Sequence, residues 1–232
     1  MLKVKRANIE TWNIKEQANV PPAVVKTVKD LIYWQYAKII AESASIGKKD
    51  YGFVMNKFKQ LKSDSISWNE IREYVKERDY GDECIFCGAT ADLTLEHLLP
   101  QKYNGPNSEK NLVWVCKSCN SQKGARRPYE YFAIEAGPDA ATYEVPRIAE
   151  GKYLKFAYET LKETNLLETS GVQLSSSICP KCDMKRLCLR QGTEGKLSPF
   201  CIDGMLTLYF KEKSHYSVSG LSSLWTKRAL DI

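Results

Sequence analysis

The sequence predicts an α+β chain in three parts. A helical N-terminal region covers residues 1–77, a central cysteine-braced module of two strands and a helix covers 78–136, and a C-terminal lobe with a second four-cysteine site covers 137–232. Three observations predict this. The first third carries apolar residues at helical spacing. The middle sets two Cys-x-x-Cys pairs, Cys84/Cys87 and Cys116/Cys119, around two short apolar runs and the start of a helical pattern. The last third holds four more cysteines, Cys179, Cys182, Cys188 and Cys201. With 232 residues, 43% of them hydrophobic, the chain can bury a core.

Residues 1–20 carry no strong pattern and read as an extended arm. Pro21-Pro22 opens the first helix, because proline is tolerated in the first turn. Val24, Val25, Val28, Leu31, Ile32, Ala37, Ile39 and Ile40 then form an apolar stripe to about Ser43. Trp34 and Tyr36, at this spacing, belong to a core rather than to a base-stacking surface. Gly47 to Gly52 reads as a turn and Phe53 to Leu61 as a shorter helix. Ser67-Trp68-Asn69-Glu70 is a capping box, and the helix it starts carries Ile71, Tyr74 and Val75 and ends near Arg78.

Gly88 suits the tight turn of the first cysteine pair, and Leu93 to Leu99 reads as a strand. Gln101 to Lys110, with Asn104-Gly105-Pro106-Asn107, is a loop of turn residues. Leu112 to Val115 is a second strand, and Ser118 to Arg127 the helix of the ββα unit. Tyr129 to Ala136 extends helically until Gly137-Pro138-Asp139 breaks it. Tyr153, Leu154, Phe156, Ala157, Leu161 and Leu166 mark another helix. Leu174 and the three serines after it read as a linker.

Two Cys-x-x-Cys pairs read as a tetrahedral zinc site closed by four thiolates, with no open coordination position. Such a zinc is structural, clamping a hairpin too small to hold itself together. Between the pairs lies Glu96-His97. An imidazole, neutral near pH 7, can take a proton from water, and a carboxylate offers a hard oxygen to a magnesium-like cation. Neighbours in a regular strand point to opposite faces, so both can serve one phosphate only if the strand ends or bends there. Pro100 is consistent with such a break.

The segment C-I-F-C-G, E-H-L-L-P, N-L-V-W-V-C-K-S-C-N-S-Q-K, in that order, resembles the HNH endonucleases, the ββα-metal nucleases, in their four-cysteine zinc form. By position, the resemblance implies that His97 is the general base. It implies Glu96 and Asn120 as ligands of the catalytic cation, Mg2+ or Mn2+, and Asn111 as the residue that braces the loop and orients the base. Glu for the usual Asp, and Asn where relatives also carry His, leave few protein ligands. The cation is then completed by water and phosphate.

Net charge is +6, and residues 1–75 carry 13 basic against 8 acidic residues, so a positive face toward a polyanion belongs there first. In the central helix Lys117, Lys123, Arg126 and Arg127 occur with no acid before Glu130, which suits contacts to DNA backbone phosphates. No signal-peptide-like or membrane-length apolar run occurs, since Gln35 and Lys38 interrupt Leu31 to Ala41. The expectation is a cytoplasmic or nucleoid-associated protein.

The second quartet is spaced C-x2-C-x5-C-x12-C, unlike a zinc ribbon. Four thiolates suit either a second Zn2+ or a [4Fe–4S] cluster. Its first three cysteines resemble the iron–sulfur staple of RecB-like nucleases, although the fourth cysteine there lies far upstream and no such nuclease core is visible here. Lys181, Lys185, Arg186 and Arg190 crowd it, and His215 has no motif around it. The functional expectation is metal-dependent hydrolysis of DNA, with a homodimer or two visits for a double-strand cut. The alternatives are a non-catalytic zinc-dependent nucleic-acid-binding module and an RNA-directed nuclease.

Overall fold

The computed structural model describes residues 20–46, 50–67, 81–137, 140 and 143–215. The expected arm before residue 20, half of the expected turn (47–49), and the capping box beyond Ser67 with its helix to Arg78 lie outside the described residues. Helix α1 (Val28–Ser43) is buried almost all round. It starts at Val28 and not at Pro21-Pro22, because Thr27 supplies the cap: its side chain accepts from the Asp30 N–H at 3.2 Å. Buried Asp30 is neutralised by Lys62 at 2.9 Å. Lys62 ends α2 (Tyr51–Lys62), which Asp50 caps by accepting from Phe53 N–H at 2.8 Å. Gly52, expected in a turn, lies inside this helix.

The chain then enters an antiparallel hairpin of β1 (Leu93–His97) and β2 (Leu112–Cys116), in register from Leu93↔Cys116 to His97↔Leu112. Two strands alone are marginal in water. Here the first cysteine pair closes one end, and α3 (Lys117–Lys123) and α4 (Pro128–Glu135) follow. The single helix expected from Ser118 to Arg127 is shorter. Gly124, at φ 52°, ends α3, and Pro128 starts α4 in the first-turn position proline favours.

Helix α5 (Arg147–Lys162) packs against α1, and both meet α7 (Pro199–His215). The expected linker is not one. Gly171–Gln173 runs into a helical turn at Leu174–Ile178, and Leu174 and Ile178, four apart, are both buried. Tertiary burial there overrides the weak helical preference of three serines. A short helix α6 (Lys185–Arg190) precedes α7. The arrangement is α+β: helices with one small two-stranded sheet. One buried apolar cluster draws on Val28 and Ile39 of α1, Val113 and Val115 of β2, Leu154 of α5 and Leu206 of α7. Among the described residues no helix is long and apolar enough to cross a membrane.

Candidate functional site

Cys84 and Cys87 sit on a tight turn before β1, where Gly88 takes φ 76° and its N–H donates to Cys84 O at 2.7 Å. Cys116 ends β2 and caps α3, its sulfur accepting from Cys119 N–H at 3.4 Å. The four sulfur atoms lie within 4.8 Å of one another, as a tetrahedral metal site requires. Burial works against the Cys84 thiolate, but backbone hydrogen bonds from Cys116, Cys87 and Phe86 outweigh it and bring the thiol down to about 7. Burial and the neighbouring cysteines push the Cys119 thiol the other way, up, so the cage competes for its protons until a metal, which binds thiolates rather than thiols, takes their place.

The strand ends at His97, followed by a bend at Leu98 and Leu99. Both residues of the pair are still in register with β2, and the chain bends directly after them. Lys123 fixes that bend. Its ammonium, fully buried, donates to Glu96 Oε1 at 2.6 Å and to the His97 carbonyl at 2.9 Å. Burial pushes the Lys123 pKa down, and Glu96 opposes that shift. This corrects the expectation that Lys123 meets DNA: it is an internal brace across the bend. A lysine four positions past Cys119 reads from sequence as a surface cation, and only its tertiary partners reveal otherwise.

His97 is also held from outside the strand, where Nε2 lies 2.6 Å from Asn107 Oδ1, which accepts from Gln101 Nε2 at 3.1 Å as well. An amide oxygen can only accept, so this contact assigns the donor role to Nε2, and in the neutral ring that tautomer has its lone pair on Nδ1. Asn107 is a site residue the sequence reading missed, because it hides in a run of turn residues. Asn111 is fully buried and staples the loop. Its Oδ1 accepts from Leu99 N–H at 2.8 Å, and its Nδ2 donates to the carbonyls of Leu99 and Pro106 at 3.0 and 3.1 Å. Asn111 thus ties Leu99 and Pro106, on the two sides of the loop, together. Gly105 allows this loop to close, since a Cβ there would stand 1.8 Å from Leu99 O.

Asn120 lies in α3, three residues before Lys123, and residues so spaced share a helix face. That face is turned toward β1, because Lys123 reaches Glu96 from it. Lys117 is exposed, 3.9 Å from Asp92. Arg126 is half-buried, its guanidinium 4.9 Å over the Tyr131 ring and 3.3 Å from Glu135. Arg127 is a second correction. It is buried, and it donates to Glu130 at 2.9 Å, to Asp183 at 2.8 Å and to Thr207 at 2.7 Å, so it ties α4 to the C-terminal segment instead of facing phosphate. Beside it the buried Asp203 accepts from Glu130 N–H and Tyr153 Oη, both at 2.9 Å. Burial raises the Asp203 carboxyl to about 7, against the pull of Arg127 and these two donors.

The second quartet is brought together differently. Cys179, Cys182, Cys188 and Cys201 all line one cavity of about 360 Å³. Among the described residues, however, only the central quartet gathers ligand atoms at single-ion distances. A second mononuclear site, expected as one option, is therefore not formed by these four sulfurs as they stand.

Residues 84–131 match the family model for HNH endonucleases, from the first knuckle into α4. No curated protein and no solved structure matches the chain.

Proposed function

We propose that this HNH endonuclease segment hydrolyses phosphodiester bonds of DNA, using a divalent cation at the reacting phosphate and a structural zinc at Cys84, Cys87, Cys116 and Cys119. The observation that carries the reading is the contact between His97 Nε2 and Asn107 Oδ1 at 2.6 Å. With Nε2 occupied by Asn107, Nδ1 is left to take the proton of the attacking water. Asn107 and the Asn111-stapled loop set the ring's direction.

Glu96 keeps one carboxylate oxygen on Lys123. Its other oxygen and the Asn120 amide oxygen are hard donors of the kind Mg2+ or Mn2+ accepts, with water and phosphate completing the shell. Bound there, such a cation would supply Lewis-acid stabilisation of the charge that develops at the reacting phosphate. Lys123 holds the carboxylate and the histidine backbone as one unit. Lys117 and Arg126 supply phosphate contacts that fix register without reading sequence. One such site cuts one strand, so a double-strand break needs a second copy or a second visit.

The test is nicking of supercoiled plasmid with magnesium or manganese, with and without EDTA, beside matched single-stranded DNA and RNA. Metal-dependent DNA nicks that EDTA abolishes are expected. Binding without cleavage under every metal would leave a zinc-dependent nucleic-acid-binding module, and preferential RNA cutting would move the substrate. Asn120→Ala should raise the magnesium concentration needed. An unchanged metal dependence would remove Asn120 from the ligand set.

A further inference from the structure

The C-terminal cysteines come from four separate places in the fold. Cys179 sits in the turn Cys179–Lys181, Cys182 in the loop after it, Cys188 in α6 and Cys201 in the first turn of α7. The elements around them are ordered by their own bonds. Ser175 Oγ donates to Gly195 O at 3.1 Å across the cavity mouth, and Thr193 Oγ1 donates to Cys188 O at 3.4 Å. Leu174, Ile178 and Phe200 supply an apolar wall. At Gly204, one turn past Cys201, a Cβ would stand 2.5 Å from the Cys182 sulfur, so α7 is hollowed at the point where that thiol points in.

Geometry decides between the two kinds of centre that four thiolates can hold. Around one zinc, with Zn–S bonds of about 2.3 Å, tetrahedral sulfurs stand only about 3.8 Å apart. The central quartet meets that demand. The second quartet does not, yet all four members line the same cavity of about 360 Å³. Four cysteines that line one cavity without their sulfurs meeting at a point suit a polynuclear centre, in which four irons and four sulfides separate the protein ligands. The charge balance agrees in sign. A [4Fe–4S]2+ core with four thiolates carries about −2, and the charged side chains lining the cavity are Lys185, Lys196 and Glu194, a net positive set.

We infer that Cys179, Cys182, Cys188 and Cys201 hold a [4Fe–4S] cluster, not a second zinc. The cluster sits beside the nuclease segment: Asp183, next to Cys182, is the residue that grips Arg127 at 2.8 Å. This inference does not depend on the catalytic reading above.

The experiment counts iron, acid-labile sulfide and zinc per full-length chain purified without oxygen, with a visible spectrum before and after dithionite. About four irons, four sulfides and one zinc are expected, with broad absorption near 400 nm that bleaches on reduction. Two zincs without iron would overturn the inference, and so would one zinc beside four free thiols after reconstitution with iron and sulfide. A single iron without sulfide would overturn it too. Cys188→Ser should lose the iron and keep the zinc. If that variant does not fold, Gly204→Ala, which presses on the Cys182 sulfur, should lower the iron-to-zinc ratio. An unchanged ratio would count against the cavity as the cluster site.

Discussion

The two cysteine quartets begin alike, with Cys-x-x-Cys, and end in different geometries. In the central one the second pair straddles the end of β2 and the start of α3, and strand and helix deliver its two sulfurs to the point where the turn before β1 brings those of Cys84 and Cys87. In the C-terminal one the third and fourth cysteines ride on separate helices, α6 and α7, and the four residues line one cavity. Cysteine spacing therefore announces a metal centre, while the elements that carry the later ligands decide how large it is.

The largest effect should come from attacking the central quartet. Cys84→Ser or Cys119→Ser should unfold the hairpin and α3, because structural zinc supplies about 10–16 kcal/mol in small metal-folded units. Cys188→Ser should instead lower the melting temperature and leave the central zinc in place. Zinc content and thermal melts of both variants check this, and equal loss of zinc in the two would erase the distinction.

His97→Ala should leave both centres filled and reduce nicking by about 10²–10⁴-fold. A wild-type rate in a zinc-loaded variant would remove His97 as the base. Lys123→Met strands the half-enclosed Glu96 carboxylate and should cost about 3 kcal/mol of stability. The double variant Glu96→Gln/Lys123→Met should recover most of that stability and none of the cleavage. Denaturant melts alongside nicking assays separate the two outcomes, and full activity in the double variant would sink the role of Glu96. The smallest change is expected of Asn107→Ala, which frees Nε2 without touching either quartet. A loss of about tenfold, or 1.4 kcal/mol in the barrier, should appear in kcat with zinc and iron contents unchanged, and an unaltered kcat would mean that Asn107 does not orient the ring.

The hairpin, the knuckles and the break after His97 were legible in the sequence because each has a local cause: ligand spacing, alternating apolar residues, and turn residues around Pro100 and Gly105. Asn111 was legible through family position. What escaped depends on distant partners. Lys123 and Arg127 look like surface cations until Glu96, Asp183 and Thr207 are placed around them. Leu174 to Ser177 looks like a tether until Ile178, one turn on, joins Leu174 in the core. The start of α1 was misread because Pro21-Pro22 is the louder signal, whereas Thr27 with Asp30 makes the cap.

Arg127 bears on how portable residues 84–131 are. The family match ends at residue 131, but the guanidinium inside it is satisfied by side chains at 183 and 207. Excising residues 84–131 as a cassette would leave that cation only Glu130 and the Tyr103 ring and would open the wall that α7 provides. In recombinant or fusion work, the smallest transplantable unit therefore extends at least through Thr207, and the C-terminal segment travels with the matched residues as their foundation.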